Sequence, residues 1–195
     1  MGRRALLALD IAVKVALVAL LLYAVANPHL PQYDGKAMLG RAVTFPIAAF
    51  LVPVVWWARF RDRPYPANVD LLLTAPFLID VAGNALGLYD SIEWWDDANH
   101  FFNWMLVTAA AALVLRSTGL GRLECFGLAV GFAAVMAIAW ELAEYVTFIR
   151  FSSELATAYT DTLGDLTLGT LGGAVGAAIV GLTSQPATGS RSPRA

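Results

Sequence analysis

The sequence predicts an all-α fold: a polytopic membrane protein whose single domain, residues 1–183, is a bundle of six transmembrane helices. Of the 195 residues, 58% are hydrophobic and 14% are charged, whereas about 25% of the residues in an average soluble domain are charged. The mean hydropathy is +0.63. The apolar residues are grouped in runs of about twenty, the length at which a helix crosses a bilayer.

Six apolar runs can be drawn as membrane spans. Pro28 and Pro31 break the chain after the first of them. The predicted spans cover residues 5–26, 38–57, 69–89, 98–115, 123–149 and 161–182. Residues 184–195 are rich in Ser, Pro and Arg, and they are predicted to form a disordered tail in the cytoplasm.

The first span admits a second interpretation. The basic residues 3–4, an apolar stretch and the sequence Ala-Val-Ala at 24–26 resemble a secretory signal peptide with its cleavage site. If the span is a membrane helix, Asp10 and Lys14 lie one turn apart on one face and can pair against neighbouring helices. Cleavage would leave five spans in the same orientation.

Basic residues set the predicted orientation, because cytoplasmic flanks carry an excess of Lys and Arg. The opposite flanks hold only Lys36, Arg41 and Arg150. We therefore expect an inner-membrane protein of bacterial type with both termini in the cytoplasm and with membrane lipid as its surroundings. The nine residues on the cytoplasmic flanks are Arg3, Arg4, Arg59, Arg61, Arg63, Arg116, Arg122, Arg191 and Arg194.

Charge and cysteine content argue against two kinds of site. The net charge is −2 and no basic stripe is present, so we expect no nucleic-acid partner. Cys125 is the single cysteine, so neither an intrachain disulfide nor a cysteine-based metal site is expected.

Glycines in the last two spans have the small-xxx-small spacing typical of closely packed helices in lipid. Gly127 and Gly131 form one pair, and Gly172 and Gly176 form another. Packing within the chain is the favoured interpretation, and an oligomer formed through these glycine-rich helices is the alternative.

Ionisable residues collect in four spans at the ends that the predicted topology places in the outer half of the membrane. Such groups are costly in hydrocarbon and by default indicate a functional site. Within each helix, polar residues lie three or four positions apart and therefore share a face. The candidate metal ligands are Asp80, Asp96, His100, Glu141, Glu144, Asp161 and Asp165.

The other acids are expected to be ordinary charges. Of Asp96 and Asp97, we expect Asp96 to point inward, because it lies four residues before His100, and Asp97 to be solvated. Asp70 and Glu124 lie near the inner surface and are expected to be solvated or helix-start charges. The acids expected in loops are Asp34, Asp90, Glu93 and Glu154.

This many carboxylates in one place repel one another, and burial adds to the cost. Protonation, basic partners or a cation could compensate them, and Arg41 and Arg150 are too few to do so alone. Oxygen-rich ligation with one imidazole suits a divalent cation such as Mg²⁺, Mn²⁺, Ca²⁺ or ferrous iron. A proton or ion pathway and a structural network of hydrogen bonds and arginine pairs remain the alternatives.

Three sequence blocks, in this order, resemble those of the YjdF-like bacterial inner-membrane proteins. Residues 95–101 contain Asp-x-x-x-His-Phe, residues 141–145 contain Glu-x-x-Glu before an aromatic residue, and residues 161–165 contain Asp-x-x-x-Asp before a glycine-rich helix. The resemblance covers roughly residues 75–180. It implies the membrane-helical fold and the acid-rich site, and it carries no biochemical function.

These features lead to three functional hypotheses. The first is a metal-dependent hydrolase or transferase acting on a small amphiphilic, lipid-like substrate, with His100 or Glu144 as general base. The second is a proton- or ion-coupled transporter, against which residues 105–115 and the helix beyond Gly169 are nearly all apolar. The third is a structural or assembly protein whose acid cluster orders the bundle.

Overall fold

Helices make up the regular structure of this computed structural model over the residues it describes, 2–183. The predicted tail lies outside the described residues, and so do Arg191 and Arg194. The all-α prediction is confirmed within the described range. The α-helices are α1 (Arg3–Ala26), α2 (Met38–Ala49), α3 (Leu51–Arg59), α4 (Ala67–Ala85), α5 (Leu88–Ser91), α6 (Trp95–Ser117), α7 (Arg122–Thr147) and α8 (Ala158–Thr183).

Five helical segments of the described chain are long and apolar enough to cross a membrane. They correspond to the first, second, fourth, fifth and sixth predicted spans: Arg3–Ala26, Met38–Arg59, Trp95–Ser117, Arg122–Phe151 and Ala158–Thr183. The third predicted span, 69–89, falls on α4, which has 19 residues and is not among these five. Two aspartates and two asparagines in α4 lower its hydropathy.

A proline divides the second span near its middle. Pro53 has no backbone N–H, so the carbonyl of Ala49 loses its helical partner where the chain passes from α2 to α3. The hydroxyl of buried Thr74 on α4 donates to that carbonyl at 3.5 Å. A neighbouring helix thus satisfies the freed backbone group, as broken helices within membranes require.

The helices form two groups of three that meet where α4 packs against α6. In the first group α1 and α2 pack against α4, and in the second α7 and α8 pack against α6. In the second group, a Cβ at Gly172 would overlap the carbonyl oxygen of Phe101, and one at Gly176 that of Met105. The predicted close packing within the chain is therefore confirmed for this pair of glycines.

The glycine pair on α7 behaves differently. Gly127 and Gly131 are exposed, and a Cβ at either would meet no atom within 4 Å. The favoured expectation that this pair packs within the chain is wrong. The face of α7 that packs inward is instead an alanine stripe of Ala129, Ala133 and Ala137, all almost fully buried.

The first span packs as an integral part of the bundle. α1 is continuous to Ala26, and Leu17, Leu21 and Ala24 are buried in one apolar cluster with Phe45 of α2. Ala24 would belong to the cleavage site in the signal-peptide interpretation, and here it is fully buried. This packing favours the interpretation of the first span as a membrane helix.

A buried ionic cluster joins α1 to α4. Lys14 Nζ lies 2.7 Å from a carboxylate oxygen of Asp10 and 2.7 Å from one of Asp70, and it donates to the Thr74 hydroxyl at 3.2 Å. The Tyr65 hydroxyl donates to Asp70. We call these five residues the Lys14 cluster. The predicted pairing of Asp10 with Lys14 is confirmed.

Of the two expectations for Asp70, the helix-start charge is confirmed, because Asp70 lies in the first turn of α4, and solvation is wrong. Its relative exposure is 0%, because α1 packs over it and Lys14 pairs with it. Burial and the adjacent Asp70 carboxylate raise the pKa of Tyr65, which lies in the link between α3 and α4, so the phenol keeps the proton that it donates. Asp70 and Thr74 have the four-residue spacing that marks a shared helix face, so a signal was present in the sequence.

Candidate metal centre

Four helices bring the predicted acids together at one end of the bundle. α4 supplies Asp80 near its C-terminal end, and α7 supplies its glutamates in its last turns. α6 and α8 supply their residues in their first turns. We use the name His100 cluster for His100 and the four acids whose ligand atoms group with its imidazole: Asp96, Glu141, Glu144 and Asp165.

The imidazole of His100 lies between carboxylates on both sides of its ring. Its Nε2 is 3.6 Å from Asp165 Oδ1 and 3.8 Å from Asp96 Oδ1, and its Nδ1 is 3.7 Å from Glu141 Oε1. These separations are too long for hydrogen bonds. They match ligand-to-ligand separations around one ion, since two ligands bound at ~2.1 Å lie roughly 3.0 to 4.2 Å apart.

The burial of His100 makes its missing partner costly. The residue is 7% exposed, and its Nδ1 is a buried atom with no hydrogen-bond partner. An unmade bond at a buried polar atom costs ~1–3 kcal/mol. An ion bound at this nitrogen would remove that cost.

Two overlapping sets of residues have the geometry to hold an ion. Asp96, His100 and Asp165 form one set, and His100, Glu141 and Glu144 form the other. Within each set, one ligand atom from every residue lies within 4.8 Å of the others. Because the imidazole belongs to both, an ion held by one set leaves the carboxylates of the other to orient the ring, as outer carboxylates do around metal-bound histidines.

Asp80 lies beside the cluster but has partners of its own. Arg41 Nε donates to its Oδ2 at 2.9 Å, and the Tyr89 hydroxyl donates to its Oδ1 at 2.9 Å. Gly87, with φ +66°, makes the turn after α4 that returns Tyr89 to this position. The remaining nitrogens of Arg41 donate to the Lys36 carbonyl and approach Glu144 Oε1 at 3.9 Å.

The two basic residues considered in the sequence analysis do not balance the His100 cluster. Arg41 is committed to Asp80, and it approaches one cluster acid, Glu144. Arg150 is exposed and lies over the ring of Phe151, 4.4 Å from its centroid. Among the described residues, the carboxylates of Glu141, Glu144 and Asp165 thus share one imidazole and part of one guanidinium, an excess of negative charge that burial makes unfavourable.

The other predicted acids lie at the edge of the site. Asp97 is exposed while Asp96 is half-buried, as the spacing to His100 predicts. Asp161 is exposed at the start of α8, whereas Asp165 is 3% exposed. Of the predicted ligands, Asp80 and Asp161 are thus the two that fall in neither of the ion-holding sets.

Two polar residues that touch the acids were missed by the sequence analysis. Tyr89 donates to Asp80, and the Thr162 hydroxyl donates to Glu141 Oε2 at 3.3 Å. No spacing rule marks Tyr89, which reaches the site through the turn after α4. Thr162 directly follows Asp161 and could have been found only with the facing helix in hand.

A cavity of about 510 Å³ begins at the charged residues and continues into apolar surroundings. Its walls come from both sides of the bundle: α2, α3, α4 and α5 on one side, and α6 and α7 on the other. Asp96, His100 and Glu144 line it, whereas Glu141 and Asp165 lie behind that surface. A ligand in the cavity would therefore meet the first three residues directly.

Fold and site together define a multi-pass, all-helical membrane protein with a buried cluster of one histidine and several carboxylates. The family model described as "Predicted membrane protein (DUF2238)" matches residues 9–185, more than half of the chain, and the chain belongs to that family. Comparison with curated proteins and with solved structures gave no match. Family membership confirms the expected kind of membrane protein, and the finer YjdF-like designation stays a prediction.

Proposed function

We propose that this protein binds a divalent cation at the His100 cluster and acts as a metal-dependent hydrolase or transferase on a lipid-like substrate. The observation that carries the proposal is the buried imidazole of His100, which has an unpartnered Nδ1 and carboxylates on both sides. Oxygen-rich ligation with a single imidazole favours Mg²⁺, Mn²⁺, Ca²⁺ or ferrous iron.

The positions of the residues suggest how the work is divided. Glu141 and Asp165 do not line the cavity and belong to different ion-holding sets, so one of them can bind the ion while the other orients the imidazole. Glu144 and Asp96 line the cavity, and Glu144 is our candidate for the base that takes a proton from an attacking water, with His100 as the alternative. A bound cation would polarise a phosphoryl or ester oxygen and lower the pKa of a bound water.

We also propose that α4 is a sixth membrane span. Its 19 residues extend ~28 Å at ~1.5 Å per residue, close to the ~30 Å of the hydrocarbon core. α4 packs against α1, α2 and α6, so Asp70 and Asp80 are buried in protein rather than exposed to lipid. With six spans, the basic flanks favour an inner membrane with both termini in the cytoplasm and with the His100 cluster in the outer half.

Metal analysis of the purified full chain tests the cation centre. After treatment with EDTA and reloading with Mn²⁺ or Mg²⁺, we expect a stoichiometric ion and a gain of ~2.7 kcal/mol in the free energy of unfolding at a cation concentration of 100 times Kd. Glu141→Gln and Asp165→Asn should lose both effects. Asp97→Asn, which removes an exposed acid of the same helix end as Asp96, is the matched control and should keep both.

If the wild-type protein retains no metal and no cation changes its unfolding, the proposal is wrong. If Asp97→Asn loses the ion as completely as Glu141→Gln, the ion is held by diffuse negative charge rather than by the His100 cluster.

A proton- or ion-coupled transporter is the second candidate, and one observation favours it. Buried polar residues follow α4 along most of its length, namely Asp70, Thr74, Asp80 and Asn84. The apolar stretches of α6 and α8 therefore do not exclude polar contacts towards the other end of the bundle. The test is proton or cation flux into liposomes that contain the protein. Flux that Thr74→Val abolishes and Thr44→Val retains would support transport over hydrolysis.

A further inference from the structure

The cavity beside the His100 cluster is layered from charged to aromatic to aliphatic. The aromatic level lies one helical turn from the charged level. Phe45 lies one turn from Arg41, Phe77 one turn from Asp80 and Trp140 one turn from Glu144, and all three rings line the cavity. The ring centroids of Phe45 and Phe77 are 4.8 Å apart, and those of Phe45 and Trp140 are 6.1 Å apart. Farther along α4, α6 and α7, the wall continues with Leu73, Val107 and Met136 and without a charged group.

The apolar end of the cavity opens sideways. Leu51, Phe132 and Met136 line the cavity and are also 52%, 38% and 41% exposed, so they face both the cavity and the outside of the bundle. The two helix groups meet across this side through the ring contact of Phe45 with Trp140. Beyond that contact, Leu51 on α3 and Phe132 on α7 both line the cavity and reach the exposed surface, which hydrocarbon would surround in a membrane-spanning bundle.

The cavity has the depth of one leaflet. On α7, Glu144 and Phe132 are twelve residues apart, a distance of ~18 Å along the helix. On α4, Asp80 and Leu73 are seven residues apart, or ~10 Å. Half of the hydrocarbon core is ~15 Å thick. A chain lying in this cavity with its head at the charged end would span a single leaflet.

We infer that this cavity binds an amphiphile with one hydrocarbon chain and a phosphate headgroup, which enters sideways from the leaflet between α3 and α7. The chain lies along the aromatic and aliphatic levels, and the headgroup lies at the His100 cluster. A volume of about 510 Å³ falls in the range of single small-molecule sites, ~300–1,000 Å³.

The choice of a phosphate headgroup rests on the proposed cation centre, whereas the chain site rests on the cavity alone. A cation held by carboxylates has affinity for phosphate oxygens. Asn103 supplies a second feature: it lines the cavity one turn from His100, and its buried Oδ1 has no hydrogen-bond partner. That oxygen can accept from the hydroxyl of a singly protonated phosphate.

Tryptophan fluorescence gives a direct test, because Trp104 and Trp140 both line the cavity. The probe is an alkyl phosphate brominated near the middle of its chain, added to the detergent-solubilised full chain with Mn²⁺. We expect saturable quenching that is absent when both tryptophans are replaced by Phe. Ala139→Phe fills the cavity and should weaken binding at least tenfold, whereas Val135→Phe, on an exposed part of the same helix outside the cavity lining, should leave it unchanged.

The matching brominated alcohol separates the chain from the headgroup. With Mn²⁺ present, we expect the phosphate to bind at least tenfold more tightly than the alcohol, and we expect EDTA to abolish that difference. Quenching that does not saturate, or that is equal in Ala139→Phe and Val135→Phe, overturns the chain site whatever the metal analysis gives. Saturable quenching that Ala139→Phe weakens but EDTA leaves unchanged supports the chain site and overturns the phosphate assignment, while the metal analysis alone decides the cation centre.

Discussion

Two buried clusters of charge lie near opposite ends of α4, and they differ in how their charges are balanced. The Lys14 cluster near the start of α4 has two carboxylates around one ammonium group, with both ion pairs at 2.7 Å. The His100 cluster near the end of α4 has four carboxylates around one imidazole, with the closest at 3.6 to 3.8 Å. A buried nitrogen of that imidazole has no partner.

The comparison shows that burial of acids does not by itself mark a binding site. At the Lys14 cluster the polar contacts are complete within the protein: Asp70 pairs with Lys14 and accepts from the Tyr65 hydroxyl, so nothing further is needed to hold it. At the His100 cluster the negative charge is not balanced by basic groups in the described part of the chain, and the buried Nδ1 of His100 has no hydrogen-bond partner. Fully satisfied polar networks make a core rigid, whereas partly satisfied ones are costly unless a ligand completes them.

The largest expected effect is at Lys14. Lys14→Met removes the cation between Asp10 and Asp70 and leaves uncompensated buried charge, so we expect a loss of ~3–5 kcal/mol in the free energy of unfolding. Thermal or denaturant unfolding of the protein in detergent measures this loss. Lys36→Met is the matched control, because Lys36 pairs with the exposed Asp90 and should contribute only ~0–1 kcal/mol. Equal losses in the two variants would remove the basis for treating the Lys14 cluster as the structural one.

The next prediction is that neutralising one acid lowers the free energy of unfolding at the Lys14 cluster but not at the His100 cluster. Asp70→Asn weakens hydrogen bonds to a charged group from Lys14 and Tyr65, so we expect a loss of ~1.5–3 kcal/mol. Glu141→Gln, measured in EDTA, removes one of four mutually repelling carboxylates and should leave stability unchanged or raised. A loss at Glu141 as large as that at Asp70 would instead favour the structural hypothesis for the His100 cluster.

A smaller effect tests how the fold positions the His100 cluster. Gly172→Ala places a Cβ against the carbonyl of Phe101, so α8 must move from α6, at a cost of ~1–3 kcal/mol. Because α8 carries Asp165 towards His100, cation affinity should fall as well. Gly127→Ala on the open face of α7 is the control, and it should be neutral or stabilising by ~0.4–1 kcal/mol. If Gly172→Ala binds the cation as tightly as the wild-type protein, the packing of α8 against α6 does not position the cation site.

The smallest expected effect is at Asp97. This side chain is exposed, so Asp97→Asn should change the free energy of unfolding by less than about 0.5 kcal/mol. Asp96→Asn changes the adjacent residue, whose carboxylate faces His100, and should weaken cation binding. Calorimetric titration of both variants with Mn²⁺ measures the contrast, and a stronger effect at Asp97 would reverse the assignment of these two acids.

Spacing rules identified most of the candidate site before any coordinates were considered. The four-residue separation of Asp96 from His100, and the three-residue separation of Glu141 from Glu144, put each pair on one helix face because an α-helix has ~3.6 residues per turn. The same rule applied to Asp70 and Thr74 would have marked the Lys14 cluster. The position of Asp70 near a span end instead left solvent exposure and a helix-start charge open, because it says nothing about which helix covers the residue.

Local apolar length and helical period were enough to predict the helical membrane architecture, the faces on which its acids lie and the pairing of Asp10 with Lys14. Which charges are balanced depends on how the helices pack. Asp80 is bound by Arg41 and Tyr89, which come from separate segments of the chain. α8 packs against α6 through its glycines, whereas Gly127 of α7 contacts no other helix of the described chain. Asp70 is covered by α1 and paired with Lys14. Burial and neutralisation depend on side chains distant in the chain, and residue spacing within one helix carries no information about its neighbours.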